Sequence, residues 1–240
     1  MDKTFAQTGM DKSIPHIGVI MDKTDTADYP RYDLPPGYTF AFYKPGLERM
    51  WIEQKVAVGE FDDTDGAETV FKREFLYGQP IDWLNFKCDK LDPDEIQSAP
   101  LYYELCKRML FILDEDGKLA ATGAIWHGEH FGETRQRLHW ISVAPRHQNK
   151  GLSKPLMTKL MDMYVELGFS GYIYLTSQTW SYKALNIYAH FGFKPYMGEK
   201  PQNYAEVDLE TGKPWDYKAM NEEAWTIIND KINQYSKCRR

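Results

Sequence analysis

The chain has 240 residues, 42% hydrophobic, 15% aromatic and 27% charged, with a formal net charge of −6. This is ordinary globular composition, long enough for one large domain or two small ones, and the missing basic footprint argues against nucleic acid as a main partner. Cys88, Cys106 and Cys238 are odd in number, widely spaced and without a CxxC, which argues against a disulfide framework or zinc site and for a cytoplasmic location; no run approaches the roughly 18–20 apolar residues of a membrane span, and MDKTFAQTGMDKS does not read as a signal peptide.

Residues 1–13 are polar and are expected to form a mobile end. Ile14–Met21 is a short apolar run with strand character, and Pro35-Pro36-Gly37 marks a turn. Tyr38–Tyr43 is rich in β-formers and is expected to open the main sheet. From Leu47 to Val58, Leu47, Met50, Trp51, Gln54 and Val58 recur at helical spacing. Ala67–Leu76 reads as a second helix, and Asp92-Pro93-Asp94-Glu95 as a helix start inside an otherwise ambiguous segment, residues 77–106.

Arg108–Leu113, Lys118–Trp126 and Arg137–Val143 read as three successive strands. Asp114-Glu115-Asp116-Gly117 joins the first two as a hairpin turn, and residues 127–136 form a polar loop. A helix, a strand and a helix follow, so the sheet is expected to be mixed and central with helices on its faces. Lys194–Lys200 is a candidate strand, Asn203–Leu209 its candidate partner, and Glu210–Pro214 reads as the turn that follows them. Asn221–Cys238 reads as an extra C-terminal helix with Trp225, Ile228, Ile232 and Tyr235 on one face; that face either packs on its own domain or makes a homodimer contact. No repeat or linker interrupts the chain, which predicts one domain over residues 1–240.

The chemistry concentrates in residues 138–193. Val143-Ala144-Pro145 ends a strand, because proline cannot continue a ladder. Arg146-His147-Gln148-Asn149-Lys150 is a polar turn, and Gly151 lets the backbone turn tightly and approach a ligand. The helix beyond it carries Leu152, Leu156, Leu160, Tyr164 and Leu167 on one face, with Gly168 placed as a C-terminal cap. A turn running into a helix N-terminus beside Lys and Arg is an anion site, suited to phosphate or pyrophosphate. One glycine is too few for the dinucleotide fingerprint, and GxxxxGK[ST] is absent.

The wider pattern is Val143-x-Pro145, Gln148-x-x-Gly151-Leu152-Ser153 and Ala184-Leu185-Asn186-Ile187-Tyr188-x-x-Phe191-Gly192-Phe193. It resembles the GNAT N-acetyltransferase superfamily over roughly residues 108–197. The resemblance implies an α/β fold with a central, mostly antiparallel twisted sheet of about six to seven strands, and acetyl-CoA as acyl donor with no metal. It assigns the pyrophosphate to the main chain of Gln148, Asn149, Lys150, Gly151, Leu152 and Ser153. It assigns the pantetheine arm to the backbone around Ile141, Ser142 and Val143. Two departures are Ser153 for the usual final Gly or Ala and Ser181 for the usual Asn; Pro155 predicts a helix starting a residue or two late, with Ser153 as its cap.

Acetyl transfer to an amine needs a base for the amine proton, donors for the oxyanion and an acid for the thiolate. By resemblance Tyr188 is the acid. His139, on the strand before the turn and sharing a face with Arg137 and Ile141 by alternation, is the candidate base, its ordinary pKa near ~6.5 suiting that role. Glu129, His130 and Glu133 are its rivals; His147 is expected to be exposed and His190 to face away from Tyr188. The expected activity is N-acetylation of a small-molecule amine in a ternary complex. A non-catalytic acyl-CoA sensor and a protein acetylase are the alternatives.

Overall fold

A computed structural model describes residues 9–82, 85–202 and 216–237. Its strands are β1 (Gly18–Lys23), β2 (Tyr38–Phe42), β3 (Met109–Asp114), β4 (Leu119–Gly128), β5 (Arg135–Val143), β6 (Ile173–Gln178) and the short β7 (Lys194–Pro195). They form a 7-stranded sheet in the order β2-β3-β4-β5-β6-β1-β7. β2 with β3, β3 with β4, and β1 with both β6 and β7 run antiparallel, while β5 and β6 run parallel. This is the mixed, mostly antiparallel sheet that the sequence implied. The first strand in the chain lies inside the sheet, between β6 and β7, and Tyr38–Phe42 lies at its edge.

The helices are α1 (Glu48–Ala57), α2 (Thr64–Val70) running into a π-helical turn at Phe71–Leu76, α3 (Tyr102–Arg108), α4 (Ser153–Glu166), α5 (Tyr182–His190) and α6 (Tyr217–Lys237). The expected helix at 67–76 is therefore two conformations in series. The start read at Asp92–Glu95 yields only a 3-10 turn at Ile96–Ser98. The expected strand at Lys194–Lys200 is two residues long. Asn203–Leu209, the Glu210–Pro214 turn, Cys238 and residues 1–8 lie outside the described residues.

The chain gathers into two compact units. One comprises Tyr32–Ala124 and Trp140–Leu160. It buries an aromatic cluster of Trp51, Phe71, Phe75 and Phe111, in which the Trp51 ring stands edge-on to those of Phe71 at 5.4 Å and Phe75 at 5.5 Å. Such pairs add to plain area burial. The hairpin turn follows the DG signal: Gly117 has φ +72° and its N–H donates to the Asp114 carbonyl.

The other unit comprises Met1–Arg31, Ile125–His139 and Met161–Arg240. Its core holds Ile20, Met21, Tyr164, Tyr174, Phe191 and Phe193. Helix α6 packs on α5, β1 and the turn at Thr179–Ser181, burying Ala224, Trp225 and Ile228. Of the face predicted from the helical spacing, Trp225 and Ile228 are thus buried in its own unit, while Ile232 and Tyr235 are half-buried. Lys231 reaches Asp11 at 2.9 Å, which fastens the helix to the N-terminal segment.

Candidate functional site

The turn after β5 is built from backbone. Asn149 has φ +62° and Gly151 φ +81°, and left-handed residues in a turn swing successive N–H groups to one side, the geometry of an anion-binding nest. A Cβ at Gly151 would meet nothing nearer than Pro35 at 3.9 Å, so glycine is required there by conformation and not by space. The Leu156 N–H closes on the Leu152 carbonyl at 3.0 Å, making Ser153 the first helical residue. The helix does not start late: Pro155 falls at its third position, where the missing N–H has no intrahelical acceptor in any case. Gln148 Nε2 donates to the Val143 carbonyl at 3.4 Å, tying the turn to the strand end. Asn149, Lys150 and Gly151 are exposed while Leu152 is buried. Open N–H groups of a first helical turn, flexible-φ residues and adjacent lysine suit a pyrophosphate.

His147 is held and not exposed. Its Nδ1 lies 3.0 Å from the Tyr38 hydroxyl and its Nε2 3.4 Å from Asp114. Burial above all, with the Lys150 and Arg146 charges, pushes its pKa down. The positive charge of the turn at neutral pH therefore rests on Arg146 and Lys150.

β5 is irregular just before the turn. Trp140 has φ +51°, a left-handed residue inside a strand. The alternation expected for Arg137, His139 and Ile141 holds for the first two, whose side chains meet at 3.1 Å, and is interrupted at Trp140. The Ile141 side chain lies over Gly123, where an added Cβ would sit 3.0 Å from it and 2.9 Å from Leu160. Trp140 points toward α1 instead, with its ring 5.8 Å from Trp51 and 5.4 Å from Phe61. Its indole N–H donates to Glu74 at 2.9 Å.

Sequence reasoning missed Lys55. It is fully buried, and its Nζ donates to the Trp140 carbonyl at 2.6 Å and to Ser142 Oγ at 2.8 Å. The Trp51 and Trp140 rings lie 5.2 and 5.5 Å from the ammonium. Burial pulls its pKa down to about 7, against a weaker opposing pull from Glu60. A signal existed: Lys55 stands four residues after Trp51 and three before Val58, on the apolar stripe of α1. Gln54 beside it is also buried, and among the described residues neither atom of its amide has a hydrogen-bond partner.

In the other unit, Tyr188 on α5 is 7% exposed, with its ring 6.5 Å from Phe193. Gln178 Nε2 donates to Ser181 Oγ at the start of that helix. His190 is exposed and bonds back to the Asn186 carbonyl. His139 is buried. A guanidinium only donates, so Arg137 fixes His139 Nε2 as the acceptor nitrogen, and protonating it would set two cations side by side. The rivals are engaged as well: Glu129 by Thr134, His130 by Tyr174 and Glu133 by Arg135.

A cavity of about 230 Å³ lies against residues 69–87 of the first unit, lined by Thr69, Arg73, Asp82, Asn85 and Lys87 among others. Among the described residues no group of His, Cys, Asp and Glu could hold a metal ion, and no helix is long and apolar enough to cross a membrane.

Residues 79–193 match the family model of the acetyltransferase (GNAT) family, so this stretch is a GNAT acetyltransferase domain; members of that family are acyltransferases. Among solved structures, the chain is similar to a GCN5-related N-acetyltransferase from Sphaerobacter thermophilus, with 15% identity, a TM-score of 0.49 and coverage of 75% of this chain and 48% of that one. It is also similar to glucosamine-6-phosphate N-acetyltransferase from Arabidopsis thaliana, with 18% identity, a TM-score of 0.43 and coverage of 70% and 99%. The chain thus spans about half the length of the Sphaerobacter protein. No curated protein matches the sequence.

Proposed function

We propose that this chain is an acetyl-CoA-dependent N-acetyltransferase acting on the primary amine of a small molecule, by direct transfer in a ternary complex. The observation that carries the reading is the turn at Gln148–Ser153. Left-handed Asn149 and Gly151 lead into the open first turn of α4, an arrangement with no packing task that suits an anion, inside a stretch matched by the acetyltransferase family.

In this reading the main chain from Gln148 to Ser153 holds the pyrophosphate. The backbone of Ile141, Ser142 and Val143 pairs with the pantetheine arm, and Ser181 lies at the start of the helix that carries the acid. Acetyl-CoA supplies the activated acyl group. Tyr188 gives its phenolic proton to the departing thiolate. His139 takes the amine proton if it turns from Arg137; otherwise a water carries it away. The acceptor pocket draws on the segments around α1, α2 and residues 77–106, where the charged cavity lies.

Calorimetry of acetyl-CoA with the purified chain tests the first step, and the absence of binding would sink the reading. Thiol release over a panel of amines and amino acids tests the second. Tyr188→Phe is expected to lower kcat by roughly 10²-fold or more with acetyl-CoA affinity unchanged. A chain that binds acetyl-CoA but acetylates no amine would instead be a coenzyme sensor.

A further inference from the structure

Two backbone irregularities of one unit are bonded to each other, and Lys55 is bonded to one of them. The π-helical turn at Phe71–Leu76 carries Glu74, which accepts the Trp140 indole N–H at 2.9 Å. Trp140 is itself left-handed. A side chain with a Cβ costs about 1–2 kcal/mol in that conformation, so it persists only where its surroundings over-determine it. A left-handed residue also turns its carbonyl away from the regular course of the strand, and a carbonyl taken out of water needs a donor. Lys55 Nζ is that donor, and a second N–H of the same group fixes Ser142 Oγ.

The environment of Lys55 fits this task. An isolated buried ammonium is costly unless its hydrogens are all engaged. Here two bonds go to β5, and the faces of Trp51 and Trp140 stand beside the charge, a favourable placement for a cation. A leucine or methionine would fill the same space more cheaply. What the lysine adds is two fixed points, at positions 140 and 142, on either side of Ile141.

We propose that Lys55 is a positioning residue for the coenzyme: by holding the Trp140 carbonyl and the Ser142 hydroxyl, it sets the left-handed course of β5 at Trp140 so that the main chain at Ile141 and Val143 is aimed at the pantetheine arm. The inference rests on the proposed function, which gives that strand to pantetheine and the following turn to the phosphates. Lys55 touches no ligand in this scheme; it acts through the strand.

The division between strand and turn supplies the test. Two ligands are titrated calorimetrically into the full chain: acetyl-CoA, and 3′-phosphoadenosine 5′-diphosphate, which keeps the phosphates and lacks the pantetheine. In Lys55→Met, acetyl-CoA is expected to bind roughly 10- to 100-fold more weakly, the equivalent of a lost charge-assisted hydrogen bond, while the diphosphate binds as before. Loss of both ligands would show a merely structural lysine and overturn the inference, as would loss of neither. Should Lys55→Met fail to fold, Ser142→Ala decides: a selective loss of acetyl-CoA affinity of roughly threefold or more supports the inference, and unchanged affinity overturns it. Wild-type protein that binds neither ligand would overturn the proposed function itself, a result readily told apart from the others.

Discussion

The turn at Gln148–Ser153 and the cluster around Lys55 lie in the same unit, a few residues apart along β5, and they are built on opposite principles. The turn is exposed and made of main chain, shaped by φ values that Asn and Gly can adopt. The Lys55 cluster centres on a buried side chain: an ammonium that bonds the Trp140 carbonyl and the Ser142 hydroxyl beside two indoles, one of which donates to the Glu74 carboxylate. The first can be altered without disturbing a core. The second sits inside one, so its electrostatics are bound to folding itself.

That contrast can be broken most forcefully through the Lys55 proton. Burial holds the ammonium near pKa 7, against roughly 10.4 in an unfolded chain. Below pH 7 both states carry the proton. Between pH 7 and about 10 the unfolded chain binds it and the folded chain does not, so stability rises with pH across that window. From pH 7 to pH 9 the wild type should gain about 2–3 kcal/mol relative to Lys55→Met, measured by urea unfolding of both. Parallel pH dependence in the two proteins would mean that the lysine is not buried as described.

At the turn the expected effect is larger on binding than on stability. Gly151→Val forces a β-branched residue into the left-handed region, which should weaken acetyl-CoA binding by roughly 10- to 100-fold and lower stability by no more than the about 1–2 kcal/mol of that backbone strain. A larger loss of stability would show that the turn is part of the packing after all. Gln54→Leu sharpens the other side. Removing a buried amide without partners should stabilise the fold by about 1–2 kcal/mol; a destabilised variant would mean that the amide is satisfied in solution. The smallest effect belongs to the exposed pair Arg49–Glu53 on the same helix, whose side chains are 65% and 59% exposed. Glu53→Ala should change stability by no more than about 0.5 kcal/mol, which calibrates how much of α1 matters through its buried face alone.

How much of this could be read from the chain depends on which residues carry it. Gly151, the Leu152–Leu156–Leu160–Tyr164 stripe and Asp114–Gly117 are local signals, and each forms the element that it announced. Asn149 was a weaker signal of the same kind, since Asn tolerates left-handed backbone. Trp140 gave no sign: a tryptophan at φ +51° contradicts its own preference, and it is met there by Lys55, Trp51, Phe61 and Glu74, which lie far from it in the chain. Lys55 was legible in position but not in meaning, because a lysine on an apolar stripe usually carries its charge out to water along its stem. His147 read as exposed because its partners, Tyr38 and Asp114, lie far away in the chain.

The sequence by itself determined most of the strands and helices, the tight turn at Gly151 and the family pattern from Val143 to Phe193, because short-range spacing, glycine conformation and proline geometry act within a few residues. Only the tertiary structure decided that Gly18–Lys23 enters the sheet between β6 and β7, that Trp140 is left-handed within β5, and that Lys55 is buried against it. Those outcomes depend on long-range pairing and on desolvation, and a charge taken out of water is defined by neighbours that the linear chain does not bring together.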